Sequence, residues 1–417
     1  MTPGQEVDGA HPYDTGRLRG NIRKCAAVRL FFWMHLFASI IVPFFQEWGG
    51  LSYTEILLIQ AWFMVCNFLL EVPTGAVADR FGRKYSMALA GVVVAVATPV
   101  YASVPRLPVF LAGEILFAAA MTLASGADEA LIYDSLKALG RDSEATRTMS
   151  MLESWKLGGV IVGALSGGLI AGILGLRAPL FLQCIPALIS TVLALTLVEP
   201  PVPQTETGPV ARKPYLTLIS GGLGHLRRHR ILRSLTLDMV SAGTLAWLIL
   251  WSYPPQLKRA GIPIAAYGVV HSFMCIGQIL LLSHQHRIER IAGGITPLLR
   301  VTAILPALGY LALAAASGPV ASVTGILAVS VFGLSRGPLF SGAVNRHISS
   351  GERATVLSAI SAARTLAIGL VYPVAGVLMD RSLNLAFAAF GASGLLVTWL
   401  AAAPRAATEY EPAETPN

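Results

Sequence analysis

Long apolar runs separated by short polar breaks cover most of this chain, and the charged residues concentrate in the breaks. The runs fall at about 28–47, 53–78, 86–104, 107–136, 148–173, 177–197, 231–252, 264–284, 297–316, 319–345, 354–379 and 384–402. Each is near the ~20 residues that an α-helix needs to cross a bilayer. The pattern predicts an all-α membrane protein with twelve transmembrane helices. The fourth and tenth runs exceed a straight crossing, which predicts tilt or extension beyond the bilayer. Residues 198–230 form the longest break, and Pro200, Pro201, Pro203, Pro209 and Pro214 mark it as a linker. The expected organisation is a polar tail over 1–27, a six-helix half over 28–197, the linker 198–230, a second half over 231–402 and an acidic tail over 403–417. The first 27 residues hold no apolar core followed by a small-residue cleavage site, so a cleavable signal peptide is not expected.

Composition agrees with this pattern. Of 417 residues, 54% are hydrophobic and 13% charged, where a soluble domain carries about 25% charged residues. The net charge of +8 is not a nucleic-acid footprint, because the basic residues sit in loops between apolar runs. With the N-terminus placed in the cytoplasm, 23 of the 31 lysines and arginines fall on the cytoplasmic side and 5 outside. That asymmetry satisfies the positive-inside rule, so both termini are expected in the cytoplasm. Cys25, Cys66, Cys184 and Cys275 are scattered without metal or disulfide spacing and read as small packing residues.

One break carries a dense motif. Glu71 to Lys84 reads E-V-P-T-G-A-V-A-D-R-F-G-R-K, a charged turn between the second and third runs. Gly75 and Gly82 suit a turn packed too closely for side chains. Gly75, Asp79, Arg80, Gly82, Arg83 and Lys84 together resemble the loop 2-3 signature of the major facilitator superfamily (MFS). The resemblance extends over the helical body, about 28–402, although the break around His284–Arg290 lacks the matching signature. It implies two six-helix halves that rock about a central site. It also implies a pairing of the loop arginines with a carboxylate at the end of the fourth run, where Asp134 fits by depth. Asp79, Arg83 and Asp134 would then form a cytoplasmic gate. Short similarities after the fourth and tenth runs, S-E-A-T-R-T-M-S over 143–150 and S-G-E-R-A-T-V-L-S over 350–358, fit a repeat of halves.

The fifth run contains G-V-I-V-G-A-L-S-G-G, with Gly159, Gly163, Gly167 and Gly168 on a small-residue face. This resembles the antiporter signature of MFS exporters, with Ala164 where that signature has proline. Close helix packing is the alternative reading of the same glycines.

Charges within apolar runs are costly, at least ~2.5–3.5 kcal/mol each, so they should face a cavity or a partner. Glu114, Asp128 and Glu129 in the fourth run are candidates for proton coupling, which needs a carboxyl that changes protonation state. Adjacent on a helix, Asp128 and Glu129 point ~100° apart and are not expected to face one point. Glu153 and Lys156 share a face of the fifth run and suggest an internal ion pair. Asp238, Arg336 and Arg364 complete the intramembrane charges, with Arg336 able to compensate an acid or bind an anionic group. His35 reads as a packed, hydrogen-bonded histidine. Trp33, Phe44, Phe45, Trp62, Phe63 and Phe68 could line a pocket or face lipid.

No G-x-x-x-x-G-K-[ST] and no H-E-x-x-H occurs, so neither ATP coupling nor that metal chemistry is expected. The expected function is secondary active transport without a cofactor, driven by a proton or sodium gradient. The first reading is proton-coupled export of small, partly hydrophobic molecules by a monomer in the cell membrane. Uptake of a small metabolite by symport or facilitation is an alternative, and a non-transporting membrane sensor of the same fold is another. An enzymatic role is not expected.

Overall fold

The computed structural model describes residues 15–200, 224, 226, 228–340 and 353–400, and among these every regular element is a helix. The expected tails before residue 15 and after 400, most of the linker, and the end of the tenth run with the break that follows lie outside the described residues. In the N-terminal half α1 covers Thr15–Phe32, α2 Tyr53–Phe81, α3 Arg83–Tyr101, α4 Leu107–Ala124, α5 Ala127–Ala138, α6 Ala145–Leu174, α7 Ala178–Leu182 and α8 Cys184–Leu195. In the C-terminal half α9 covers Arg230–Trp247, α10 Ile249–Arg259, α11 Tyr267–Ser283, α12 Gln285–Ala292, α13 Ile295–Ala315, α14 Pro319–Leu334, α15 Arg353–Arg381 and α16 Leu383–Leu400.

Eleven helices among the described residues are long and apolar enough to cross a membrane, in place of the expected twelve. The first apolar run is the exception. Instead of one helix over 28–47, the chain makes α1 from Thr15, turns through 33–40, and resumes as a short helix Ile41–Pro43 and a π-helical turn Phe44–Trp48. The start at Thr15 also corrects the tail expected to run to 27. The turn has identifiable causes. Pro43 has no amide to give to Ser39, four residues back. The Ser39 carbonyl accepts the Tyr253 hydroxyl instead, at 3.3 Å. The Leu36 amide donates to Gln183 Oε1 at 2.8 Å, and the Ser39 hydroxyl donates to the Ala164 carbonyl at 3.1 Å.

Other runs break too. Gly126, at φ 74°, separates α4 from α5 within the fourth run. A positive φ of this kind suits a residue without Cβ. The sixth run breaks at Gln183, between α7 and α8. The seventh breaks at Leu248 and continues to Arg259, beyond the expected end at 252.

The two halves pack through α2 against α15 and α6 against α11. Their closest polar contacts cluster at one end. Asp380 on α15 accepts the amides of Tyr53 and Thr54 at 2.7 and 2.9 Å, capping the start of α2. Ser52 and Glu55 complete that cap from within α2's own half. Lys258 pairs with Glu47 at 2.6 Å. A Cβ on Gly376 would lie 2.5 Å from the Thr54 backbone, and one on Gly268 2.0 Å from the Ala164 carbonyl. Toward the opposite end, where α2 turns into α3, a Cβ on Gly75 would meet nothing among the described residues.

Candidate functional site

Between the halves lies a cavity of about 660 Å³ that reaches from Phe45 and Tyr101 toward the α2–α3 turn. Trp33, Phe37, Phe63, Phe117, Trp247 and Trp251 supply aromatic walls from both halves. Of the aromatics in question from the sequence, Trp33, Phe45 and Phe63 line it, whereas Phe44 is buried in the apolar core. Trp62 is partly exposed and donates to the Leu111 carbonyl at 3.2 Å. His35 lines the cavity and stacks on Phe37 with centroids 5.2 Å apart. It is packed as expected, but its Nε2 has no hydrogen-bond partner among the described residues.

The helix-6 glycines build one wall. Ideal Cβ atoms on Gly159, Gly163 and Gly167 would fall 2.2, 2.7 and 1.5 Å from backbone atoms of Leu30, His35 and Leu36. Gly168 faces the other half, with Gly268 N at 3.0 Å from its ideal Cβ. The glycine face thus receives the broken stretch of the first run, whose bulky turn needs more room than a helix surface gives.

Glu114 on α4 is buried, 3% exposed, and borders the cavity. Gln60 Nε2 donates to it at 2.9 Å, and no cationic side chain pairs with it among the described residues. Its carboxyl therefore has neutral neighbours, which permits a neutral acid as well as an anion.

Asp128, Glu129 and Glu153 converge on one cation, Arg29 of α1. Arg29 pairs with Asp128 through Nε, with Glu129 at 3.3 Å and with Glu153 at 3.0 Å. This corrects the expectation that Asp128 and Glu129 cannot meet at one point. They stand in the first turn of α5, and the guanidinium is broad enough to meet side chains diverging from it. Lys156 joins through Glu153 at 3.2 Å, as the i, i+3 spacing suggested, and lies 4.5 Å from the Trp33 ring centroid. Arg29 was not singled out in the sequence. It stands at the edge of an apolar run, where a basic residue reads as a topology signal, yet it is 5% exposed.

Asp238 and Arg336 pair with each other at 2.8 Å, both 3% exposed, away from the cavity. Arg336 also donates to the Leu299 carbonyl at 2.7 Å and Thr302 Oγ1 at 3.1 Å. It is bound within its own half and is not placed to hold an anionic group in the cavity. Its neighbour Ser335 lies in Gly333-Leu-Ser-Arg-Gly337, which has the G-x-S-x-G form of a nucleophile elbow. Ser335 follows a helix instead of a strand, and its hydroxyl is donated to the Val331 carbonyl. Arg364 on α15 does line the cavity.

At the α2–α3 turn, Arg83 pairs with Asp134 of α5, the partner expected by depth. Gly82 turns at φ 98°, and a Cβ there would sit 2.9 Å from Glu199 Oε1. Glu199 accepts the Lys84 amide at 2.7 Å and so places a negative charge at the N-terminus of α3, where the helix dipole favours it. Glu199 was missed because it lies over a hundred residues away, at the start of the proline-rich break. Asp79 ends α2 beside this turn, and Arg80 lies over the Phe81 ring.

A family model described as Major Facilitator Superfamily matches residues 25–371. No curated protein matches the chain. Among solved structures, the nucleoside transporter NupG is similar at TM-score 0.74 and 15% identity, covering 94% of this chain and 100% of that one. The POT family transporter PepTSo is similar at TM-score 0.74 and 13% identity, over 96% and 100%. The inward-open xylose transporter XylE from E. coli is similar at TM-score 0.70 and 17% identity, over 92% and 96%.

Proposed function

The chain belongs to the major facilitator superfamily, and on that premise we propose that it exports small, partly hydrophobic molecules across the cell membrane in exchange for protons. As a member of that family it is a multi-pass membrane transporter and not an enzyme. The observation that carries the reading is the cavity: aromatic, edged by a buried carboxyl with no cationic partner among the described residues, and closed at one end by polar contacts between the halves.

The polar contacts around Asp380 and Lys258 shut one end, and no such contact between described residues joins the halves at the end with the α2–α3 turn. The positive-inside count puts that turn in the cytoplasm, so the conformation is read as inward-facing. Rocking the halves about the cavity would part the Asp380 cap and bring the Arg83 end together. The first run, though broken, is long enough to complete a twelfth crossing, with both termini on the cytoplasmic side. Glu114 is the proposed proton carrier. Its carboxyl can be neutral when loaded from one side and ionised after release to the other, because no fixed cation holds it charged. Asp128 and Glu129 are tied to Arg29 and are assigned to holding α5 in place. The helix-6 glycines favour export through the signature they resemble.

The test uses purified protein in liposomes with an imposed pH gradient and an internal pH-sensitive dye. Amphipathic cations, organic anions, amino acids and sugars are added in turn. Proton movement set off by one class, in the direction opposite to that class, supports proton-coupled export. Flux of a labelled compound without proton movement sinks the coupling assignment. Flux in the same direction as the protons replaces export by symport.

A further inference from the structure

We infer that the cargo carries an anionic group, such as a carboxylate, that docks on Arg364 while its apolar body lies against the cavity's aromatic walls. The inference rests on the transporter reading above and names its substrate class. It starts from the charges that line the cavity. Arg29 and Lys156 are matched with Asp128, Glu129 and Glu153. Glu114 is held by Gln60, and Glu71 has an interaction of its own. Arg364 is different: among the described residues it makes no hydrogen bond and no ion pair, although it is exposed to the cavity.

Its position makes this notable. Arg364 lies inside the apolar span Ala359–Arg381, five residues from its start, which is about 7.5 Å along a helix. A permanent cation at such a depth faces a water-filled cavity or a partner, and it marks a substrate or ion pathway. The guanidinium cannot shed its proton at physiological pH, so it stands in the cavity as a fixed positive charge on which an anion can dock. Asp128, Glu129, Glu153 and Glu114 across the cavity are committed to partners in the N-terminal half. An anion entering from the end with the α2–α3 turn meets an unpartnered fork of N–H donors, matched to two oxygens of one carboxylate. Trp247, Trp251 and His271 belong to the same half and also line the cavity. An aromatic or alicyclic body attached to the anion therefore has Trp247 and Trp251 as walls on that side.

The test measures binding to purified full-length protein in detergent by quenching of tryptophan fluorescence, since Trp33, Trp247 and Trp251 face the cavity. The probes are 2-naphthoate, its neutral isostere 2-naphthamide and the cation 2-naphthylmethylammonium. A charge-assisted pair predicts naphthoate binding about 10- to 100-fold tighter than the amide. Arg364→Gln should erase that preference, and Arg364→Lys should keep part of it. Size-exclusion profiles and melting curves of both variants show that they are folded. Equal binding of all three probes, no binding of any, strongest binding of the ammonium compound, or an unchanged preference in Arg364→Gln would each overturn the inference. The last result would point to a partner for Arg364 within the chain when the cavity closes. Binding is read without a gradient, so failure of proton coupling leaves this outcome unaffected.

Discussion

Removing the Asp238 carboxylate should destabilise the protein without slowing transport by the molecules that remain folded. Asp238 and Arg336 are each 3% exposed and lie 2.8 Å apart, joining α9 to the segment after α14. Taking one partner from a buried pair typically costs about 3–5 kcal/mol, because the other charge stays buried without compensation. Here the guanidinium keeps two bonds through Nη1, to Leu299 and Thr302, while Nε already lacks a partner. Those two bonds soften the loss, so Asp238→Ala should fall near 3 kcal/mol, with Asp238→Asn smaller. Arg336→Met should cost more, since it leaves the Asp238 carboxylate buried without its partner, although the Thr302 hydroxyl keeps its bond to the Leu299 carbonyl. The double variant Asp238→Ala, Arg336→Met removes both charges and should cost less than the sum of the singles by about 1–3 kcal/mol. Chemical denaturation in detergent, followed by tryptophan fluorescence, gives the four stabilities. Counterflow per folded molecule, in the same preparations, gives the transport rate. Additive losses would show that the two charges do not depend on each other. A transport defect in a fully folded Asp238→Asn variant would place the pair in the working cycle and refute its static role.

Glu114→Gln should retain binding but lose the pH dependence of flux, as measured in proteoliposomes over a pH series; retained dependence removes Glu114 as the proton carrier. Asp134→Asn and Arg83→Gln should each lower turnover while moving stability by less than about 1 kcal/mol, because the pair is partly exposed. Unchanged turnover in both would sink the gate assignment. Asp380→Asn weakens the cap that one half lends to the other's α2, which should shift the balance toward outward opening by about 1 kcal/mol, or several-fold. Spin labels at Val104 and Val320, both exposed, should then report a larger fraction of long distances at that end by pulsed electron resonance. An unaltered distribution would mean that the cap does not hold the end shut.

Much of this architecture was legible because its signals are local. Runs of apolar residues gave the helices, and the fused charges and glycines of Glu71–Lys84 marked the turn that pairs Arg83 with Asp134. The glycines of α6 were visible, but their partner was not. It is a stretch of chain that leaves the helix before Pro43 and makes hydrogen bonds with Gln183, Ala164 and Tyr253. Those groups are more than a hundred residues away in the chain. Arg29 and Glu199 escaped for a related reason: one looked like a topology charge and the other like part of a linker. Arg336 and Arg364 looked alike as arginines within apolar runs. What separates them is Asp238 on a different helix, which silences one and has no counterpart beside the other among the described residues.

The turn at 33–40 has a mechanical consequence. Its first half presents Trp33, His35 and Phe37 to the cavity, and its last residues, through Ser39, are tied to Tyr253 of the opposite half. Tyr253 in turn bonds His271, which lines the cavity as well. A molecule that leans on these rings therefore loads the same short piece of backbone that fastens the far door. On the alternating-access reading proposed above, one unwound lever, with its fulcrum on the α6 glycines, would link the passenger to the bolt without a relay through distant helices.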